Sequence, residues 1–203
     1  MFQYKDKTSI SSLIYNFKTL NIVINRKMLK KYFFIFSTLF FLTGWGGSHP
    51  VNIYSEPREL PERKIFLHEE GGKGYRLNSF QGDFVIAIFW SRHCVPCIQE
   101  LSKLSSFQSK VKNNNIKVLI ISPASEWVSE AEQKRFLAKF QASDLDYYVD
   151  RKGDLSADLG IFTSPNTVLI NSKGQEIGRI RGAAEWDKDE MVDYIYNIKA
   201  KHD

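Results

Sequence analysis

Phe84-Val-Ile-Ala-Ile-Phe-Trp-Ser-Arg-His-Cys-Val-Pro-Cys97 is the stretch of this chain from which its architecture can be read. An unbroken apolar run from Phe84 to Trp90 reads as a buried strand. Both of the chain's cysteines, Cys94 and Cys97, follow at once, at the start of an amphipathic stretch. Amide N–H groups at a helix start, together with the macrodipole, favour a thiolate at the first cysteine. Only the thiolate attacks disulfides, so a C-x-x-C pair delivered by a strand to a helix start is placed for redox chemistry.

A metal is the plainest competitor. Structural zinc usually takes four protein ligands. The chain has no second C-x-x-C, and His49, His68, His93 and His202 show no His-x(3–5)-His spacing, so no metal site is expected. A copper(I) module built on Cys94, Cys97 and His93 stays open as an alternative, because soft thiolates suit that ion. There is no Gly-rich nucleotide loop, so no organic cofactor is expected and the cysteines themselves carry the electrons.

The first 48 residues differ from the rest. Lys27, Lys30 and Lys31 precede the apolar run Tyr32–Trp45, and the small residues Gly46, Gly47 and Ser48 follow it. A basic region, a short apolar region and small residues describe an export signal. The run holds 14 residues, short of the roughly 20 that span a bilayer as a helix, which favours a cleaved signal over a retained anchor. Gly44-Trp45 stands where a lipoprotein signal would have Gly-Cys, so no lipid anchor is encoded. Met28-Leu-Lys-Lys ahead of the apolar run makes a more ordinary signal than the full n-region, which points to a translation start at Met28. Cleaved or anchored, the remainder is expected on the periplasmic side or the outer face of the cytoplasmic membrane.

Residues 1–48 carry seven Lys and Arg against one acid, Asp6, which leaves 21 basic and 22 acidic side chains in the other 155 residues. The net charge of +5 therefore belongs to the targeting segment and does not signal nucleic-acid binding. About 150 residues make one domain with a single core. Residues 49–72, with Pro57, Pro61 and several charges, read as a tether carrying one edge strand at Lys64–Leu67, and residues 73–203 as the folded domain. After the strand ending at Trp90, apolar residues at helical spacing run from Pro96 to Lys112, and Ile116–Ile121 reads as a second buried strand. A helix over 128–141, a strand over 145–149 and a short helix over 155–159 closed by Gly160 come next. Thr167–Ile170 and Glu176–Ile180 flank the turn signal Asn171-Ser-Lys-Gly174, and Met191, Tyr194, Ile195 and Ile198 mark a last helix. This order implies an α/β fold, a mixed sheet with helices on both faces.

From about Gly74 to Ile198 the chain resembles the thioredoxin fold, and within it the exported TlpA/ResA-like thiol–disulfide oxidoreductases. The motifs are Phe89-Trp90 ahead of Cys94-Val-Pro-Cys97, the segment Thr163-Ser-Pro-Asn-Thr-Val-Leu-Ile170, the turn Asn171–Gly174, and Gly182-Ala-Ala-Glu-Trp186. The resemblance implies a cis Ser164–Pro165 peptide facing the pair, with its backbone against incoming substrate chains. Trp90, His93, Val95, Pro96, Ser164 and Pro165 are the residues expected around bound substrate, Trp90 mainly as core that shapes the site. The resemblance further implies reduction of disulfide-bearing exported proteins, in cytochrome c maturation or copper-site assembly of respiratory oxidases. Electrons would come from a membrane thiol reductase of the DsbD/CcdA kind, and the protein is expected to act as a monomer without nucleic acid. An oxidant that introduces disulfides is the rival within the same chemistry.

Departures from the family pattern are local. His93 replaces the Trp that most of these proteins carry before the first cysteine, and Ile88 stands where cytosolic thioredoxins keep a buried aspartate. Glu100 matches an acid that in this branch lies near the thiols and manages their protons. Its alternative reading is a solvated carboxylate paired with Lys103. Arg92 and His93 are either solvated loop residues or cations that lower the pKa of Cys94. Cys94 is expected to attack the substrate and Cys97, one turn inward, to resolve the mixed disulfide.

Overall fold

A computed structural model describes residues 51–67 and 72–203; the expected export segment, His49 and His68 lie outside the described residues. In chain order the elements are β1 (Val51–Arg58), β2 (Lys64–Phe66), β3 (Gly74–Arg76), a 3-10 turn (Leu77–Phe80), β4 (Phe84–Phe89) and α1 (Val95–Val111). There follow β5 (Ile116–Pro123), a 3-10 turn (Ala124–Glu126), α2 (Glu130–Lys139), β6 (Asp146–Asp150), α3 (Asp154–Asp158), β7 (Asn166–Ile170), β8 (Glu176–Arg181) and α4 (Asp189–His202). The strands form one sheet in the order β1-β8-β7-β4-β5-β6-β2-β3. β4, β5 and β6 run parallel, and β7 lies antiparallel to both β4 and β8. Among the described residues no helix is long and apolar enough to cross a membrane.

All six residues of β4 are buried, because both faces of the sheet are covered. Phe84, Ile86 and Ile88 join the cluster built with Leu101, Leu104 and Phe107 of α1, Leu137 of α2, and Ile195 and Ile198 of α4. Val85, Ala87 and Phe89 point the other way, among Leu77, Leu155, Leu159 and Ile161. This period-two division is the reason an unbroken apolar run makes a strand here. The expected thioredoxin-like architecture, a mixed sheet with helices on both faces, is the one observed.

Helix α1 presents Cys97, Glu100, Leu101, Leu104, Phe107 and Val111 to the core, at the spacing read from the sequence. Phe107 is wholly buried and meets the Trp186 ring edge-on at 5.3 Å, a burial contributing about 2–3 kcal/mol. Helix α2 is shorter than its pattern. It starts after Ser129, whose hydroxyl caps it by accepting the Glu132 N–H at 3.2 Å, and Val128 stands outside and exposed. The β7–β8 turn closes as read, with the Gly174 N–H donating to the Asn171 carbonyl and Gly174 at φ 82°.

The tether is a correction. Val51–Arg58 is a strand pairing antiparallel with β8, Val51 opposite Ile180 and Ile53 opposite Gly178. Glu56, Pro57 and Arg58 mark the end of this segment as polar and irregular, yet Val51 and Ile53 alternate inward and pack on the core. The partner strand makes room for them. A Cβ at Gly178 would sit 2.6 Å from the Asn52 carbonyl oxygen, so the two backbones approach only because residue 178 has no side chain.

A buried ion pair also holds β1. Glu176 accepts from the Arg179 Nε at 2.6 Å, from its second guanidinium nitrogen at 3.2 Å, and from the Tyr54 hydroxyl at 2.8 Å. Arg179 also donates to the Leu159 carbonyl at 2.6 Å, so one cluster ties β1, β8 and the end of α3. Glu176→Ala leaves the Arg179 charge buried and unpaired. It is expected to cost about 3 kcal/mol in urea-unfolding stability; a loss below 1 kcal/mol would show that the pair contributes little.

Candidate active site

The last residues of β4 lead through Trp90–His93 to Cys94, which is the N-cap of α1. Its Sγ accepts the Cys97 N–H at 3.2 Å, so the first sulfur occupies the position where a capping side chain satisfies an orphan donor. Cys94 and Cys97 are joined in a disulfide. Pro96, in the first turn, lacks an N–H where none would find a helical partner. The two cysteines are unequally placed: Cys97 is 2% exposed, while Cys94 is only partly buried.

Across from the pair stands the Thr163–Asn166 segment. Ser164–Pro165 is a cis peptide, and the Ser164 carbonyl oxygen lies 3.4 Å from Cys94 Sγ. Ser164 is exposed and Pro165 buried. The rim is apolar, with Val95 63% and Phe162 85% exposed. Beside it a cavity of ≈ 200 Å³ runs between the ends of β4, β5 and β6, lined by Trp90, Ser122, Asp150, Ile161 and Ser164 among others. Trp90 is 2% exposed and packs on Trp127 and Phe136, so it shapes this cavity as core, and Ile88 is core too. His93 and Pro96 are on the surface beside the pair.

Glu100 lies one turn after Cys97, 3% exposed. Its Oε1 accepts the Ala184 N–H at 2.5 Å and the Trp186 indole N–H at 2.9 Å, while Oε2 has no hydrogen-bond partner. Lys103 turns away to Glu185 at 2.6 Å, which removes the surface ion-pair reading. Burial pushes the Glu100 carboxyl up to about 7, although both donors and the nearby Lys103 charge pull it down. The sequence marked Gly182–Trp186 as a motif without showing that it supplies the donors to this acid.

The Arg92 guanidinium is engaged away from Cys94. It pairs with Glu132 at 2.8 Å, donates to the Glu126 carbonyl, and lies over the Trp127 ring. Among the described residues no three His, Cys, Asp or Glu side chains are grouped so that they could hold a metal ion. His93 does not join the cysteines as a third ligand, and the copper(I) alternative gains no support from this geometry.

A helix-capping cysteine linked to a buried partner one turn inside performs thiol–disulfide exchange, and the class so defined is that of the thioredoxin-fold thiol–disulfide oxidoreductases. The chain belongs to the Redoxin family, whose model matches residues 57–195. Among curated proteins it is similar to the thiol-disulfide oxidoreductase ResA of Bacillus thuringiensis, 27% identical over 129 residues that cover 63% of this chain and 70% of the relative. Two solved structures share the fold. A thiol:disulfide interchange protein DsbE from Chlorobium tepidum has TM-score 0.58 and 22% identity, covering 70% of this chain and 96% of that one. A secreted thiol-disulfide isomerase from Corynebacterium glutamicum has TM-score 0.58 and 20% identity, covering 76% and 93%.

The raised pKa of Glu100 has a definite sign in stability. Between its unfolded value near 4.5 and its folded value of about 7, the folded state holds a proton that the unfolded state has lost. Stability therefore falls as pH rises through that window and levels off above it. For the oxidised protein the fall is expected to be about 3 kcal/mol, at about 1.4 kcal/mol per unit. Glu100→Gln keeps the acceptor for Ala184 and Trp186 and should abolish this part of the slope. Urea unfolding at pH 4.5 and pH 8 checks it; equal slopes in both proteins would place the titration elsewhere.

Proposed function

We propose that this protein is an exported reductant of protein disulfides, acting through Cys94 as nucleophile and Cys97 as resolving thiol, with no organic cofactor. The observation that carries the reading is the unequal exposure of the two sulfurs, with Cys94 beside the Ser164 carbonyl and Cys97 enclosed. Cys94 thiolate attacks one sulfur of a substrate disulfide, forms the mixed disulfide and releases the other substrate sulfur as a thiolate. Cys97 then attacks the Cys94 sulfur, closes the Cys94–Cys97 disulfide and releases the second substrate thiolate. Two electrons pass from the protein dithiol to the substrate.

Glu100 is the group suited to take or return the Cys97 proton, being buried one turn away on α1 with a carboxyl that titrates near neutrality. The backbone at Ser164–Pro165, with Val95, Pro96 and His93 on the opposite rim, would hold the extended substrate chain. Export is supported by the Lys27–Ser48 pattern and by the name of the secreted Corynebacterium protein. The partners that fit are disulfide-bearing proteins outside the cytoplasm, including apocytochrome c or oxidase copper-site proteins. Recycling falls to a membrane thiol reductase, and the protein works as a monomer.

Cys97→Ala is expected to accumulate mixed disulfides with substrate proteins, because the bond at Cys94 then lacks its resolving thiol. Cys94→Ala should accumulate few, since the remaining thiol is buried. Non-reducing gels of each variant expressed in its host give the comparison, and equal trapping by both would overturn the assignment. The dithiol potential separates reductant from oxidant: it should lie toward about −270 mV rather than about −120 mV.

A further inference from the structure

The three residues between Trp90 and Cys94 are gripped from outside the C-x-x-C segment. Glu126 ends the 3-10 turn that follows β5, 35 positions from Ser91. Its Oε1 accepts the Ser91 hydroxyl at 2.7 Å, and its Oε2 accepts the Arg92 backbone N–H at 2.8 Å. Ser91 Oγ in turn accepts the His93 N–H at 3.1 Å, and the Ser91 carbonyl accepts the Cys94 N–H at 3.1 Å. The carboxylate thus holds the Arg92 N–H directly and the His93 N–H through the Ser91 hydroxyl, while a turn bond within the held segment takes the Cys94 N–H.

Arg92 closes the arrangement from its other end. It donates to the Glu126 carbonyl at 2.9 Å and to Glu132 Oε1 at 2.8 Å, with its guanidinium carbon 4.8 Å from the Trp127 ring centroid and 5.3 Å from that of Phe136. Glu132 is itself fixed by the Val128 N–H at 2.8 Å. Ser91, Arg92, Glu126 and Glu132 are all half-buried, where such charge-assisted bonds persist better than on an open surface.

We propose that Glu126 is a positioning residue for the redox reaction, holding Ser91–His93 so that Cys94 stays where its sulfur closes onto Cys97. It touches no reacting atom. The network is in place with the disulfide closed. A freed 91–93 segment would let Cys94 move away from Cys97 and lower the effective concentration of one thiol at the other. The inference rests on the reading of Cys94 and Cys97 as a redox pair.

The test is equilibration with glutathione. Protein dithiol and glutathione disulfide convert to protein disulfide and two glutathione thiols. Two electrons pass to glutathione, and the two thiol protons end on it. Glu126→Ala removes both acceptor oxygens and leaves nothing at 126 to hold the Ser91 hydroxyl or the Arg92 N–H. Ser91→Ala removes the relay to His93 while leaving every charge in place, and its small change in a loop keeps the fold. Each is expected to lower the equilibrium constant for disulfide formation roughly 10-fold, a rise of about 30 mV, with thermal melting confirming a folded protein. An equilibrating parent whose folded variant, either one, keeps the parent constant overturns this inference alone. A parent that never equilibrates overturns the redox reading and this inference with it.

Discussion

Two-sided burial of β4 is the constraint on which the site depends. Its even-numbered residues are locked among α1, α2 and α4, and its odd-numbered residues among α3 and the neighbouring turns, so the strand cannot slip by one residue without exchanging its two faces. The end of the strand is therefore fixed, and with it the point at which Cys94 enters the helix. β7, hydrogen-bonded alongside β4, brings the Ser164–Pro165 peptide to the same end of the sheet. Two segments separated by 70 residues meet there because two adjacent strands do.

Glu100 and Glu176 show how differently one residue type behaves in one core. Both are 3% exposed. Glu176 meets a guanidinium through two bonds and a tyrosine hydroxyl through a third, so its charge is answered where it stands. Glu100 is bonded only by uncharged donors, on one oxygen. Burial without a bonded cation pushes its carboxyl up to about 7, where a proton can be exchanged near neutral pH with little driving force either way.

Much of the fold was legible because its decisive elements have long, regular periods. The apolar run of β4, the three- and four-residue spacing of α1 and the Asn171–Gly174 turn each match a single local geometry. β1 was not legible, since its alternation is short, interrupted by charges and Pro57, and meaningful only against Gly178, distant in sequence. The cysteine pair announced itself by spacing. Glu100 did not, because a glutamate three residues before a lysine on a helix looks like a surface pair until Lys103 is seen to face Glu185. Glu126 gave no signal at all: its grip on Ser91 and Arg92 depends on where a turn after β5 falls in space.

The outer margins of the sheet bear on traffic at the site. On one side the last strand is β1, whose pairing is interrupted between Ile53 and Arg58 and which carries Pro57 without an N–H, flanked by Glu56 and Arg58. On the other side the last strand is β3, three residues long and ending in Arg76. Among the described residues neither margin offers a long, uncharged row of free backbone groups to another chain. On the proposed function, the substrates would include chains with strands seeking something to pair with. With both margins blunted, a substrate of the proposed kind would gain little by lying along the sheet and would be left to engage at the rim beside Cys94.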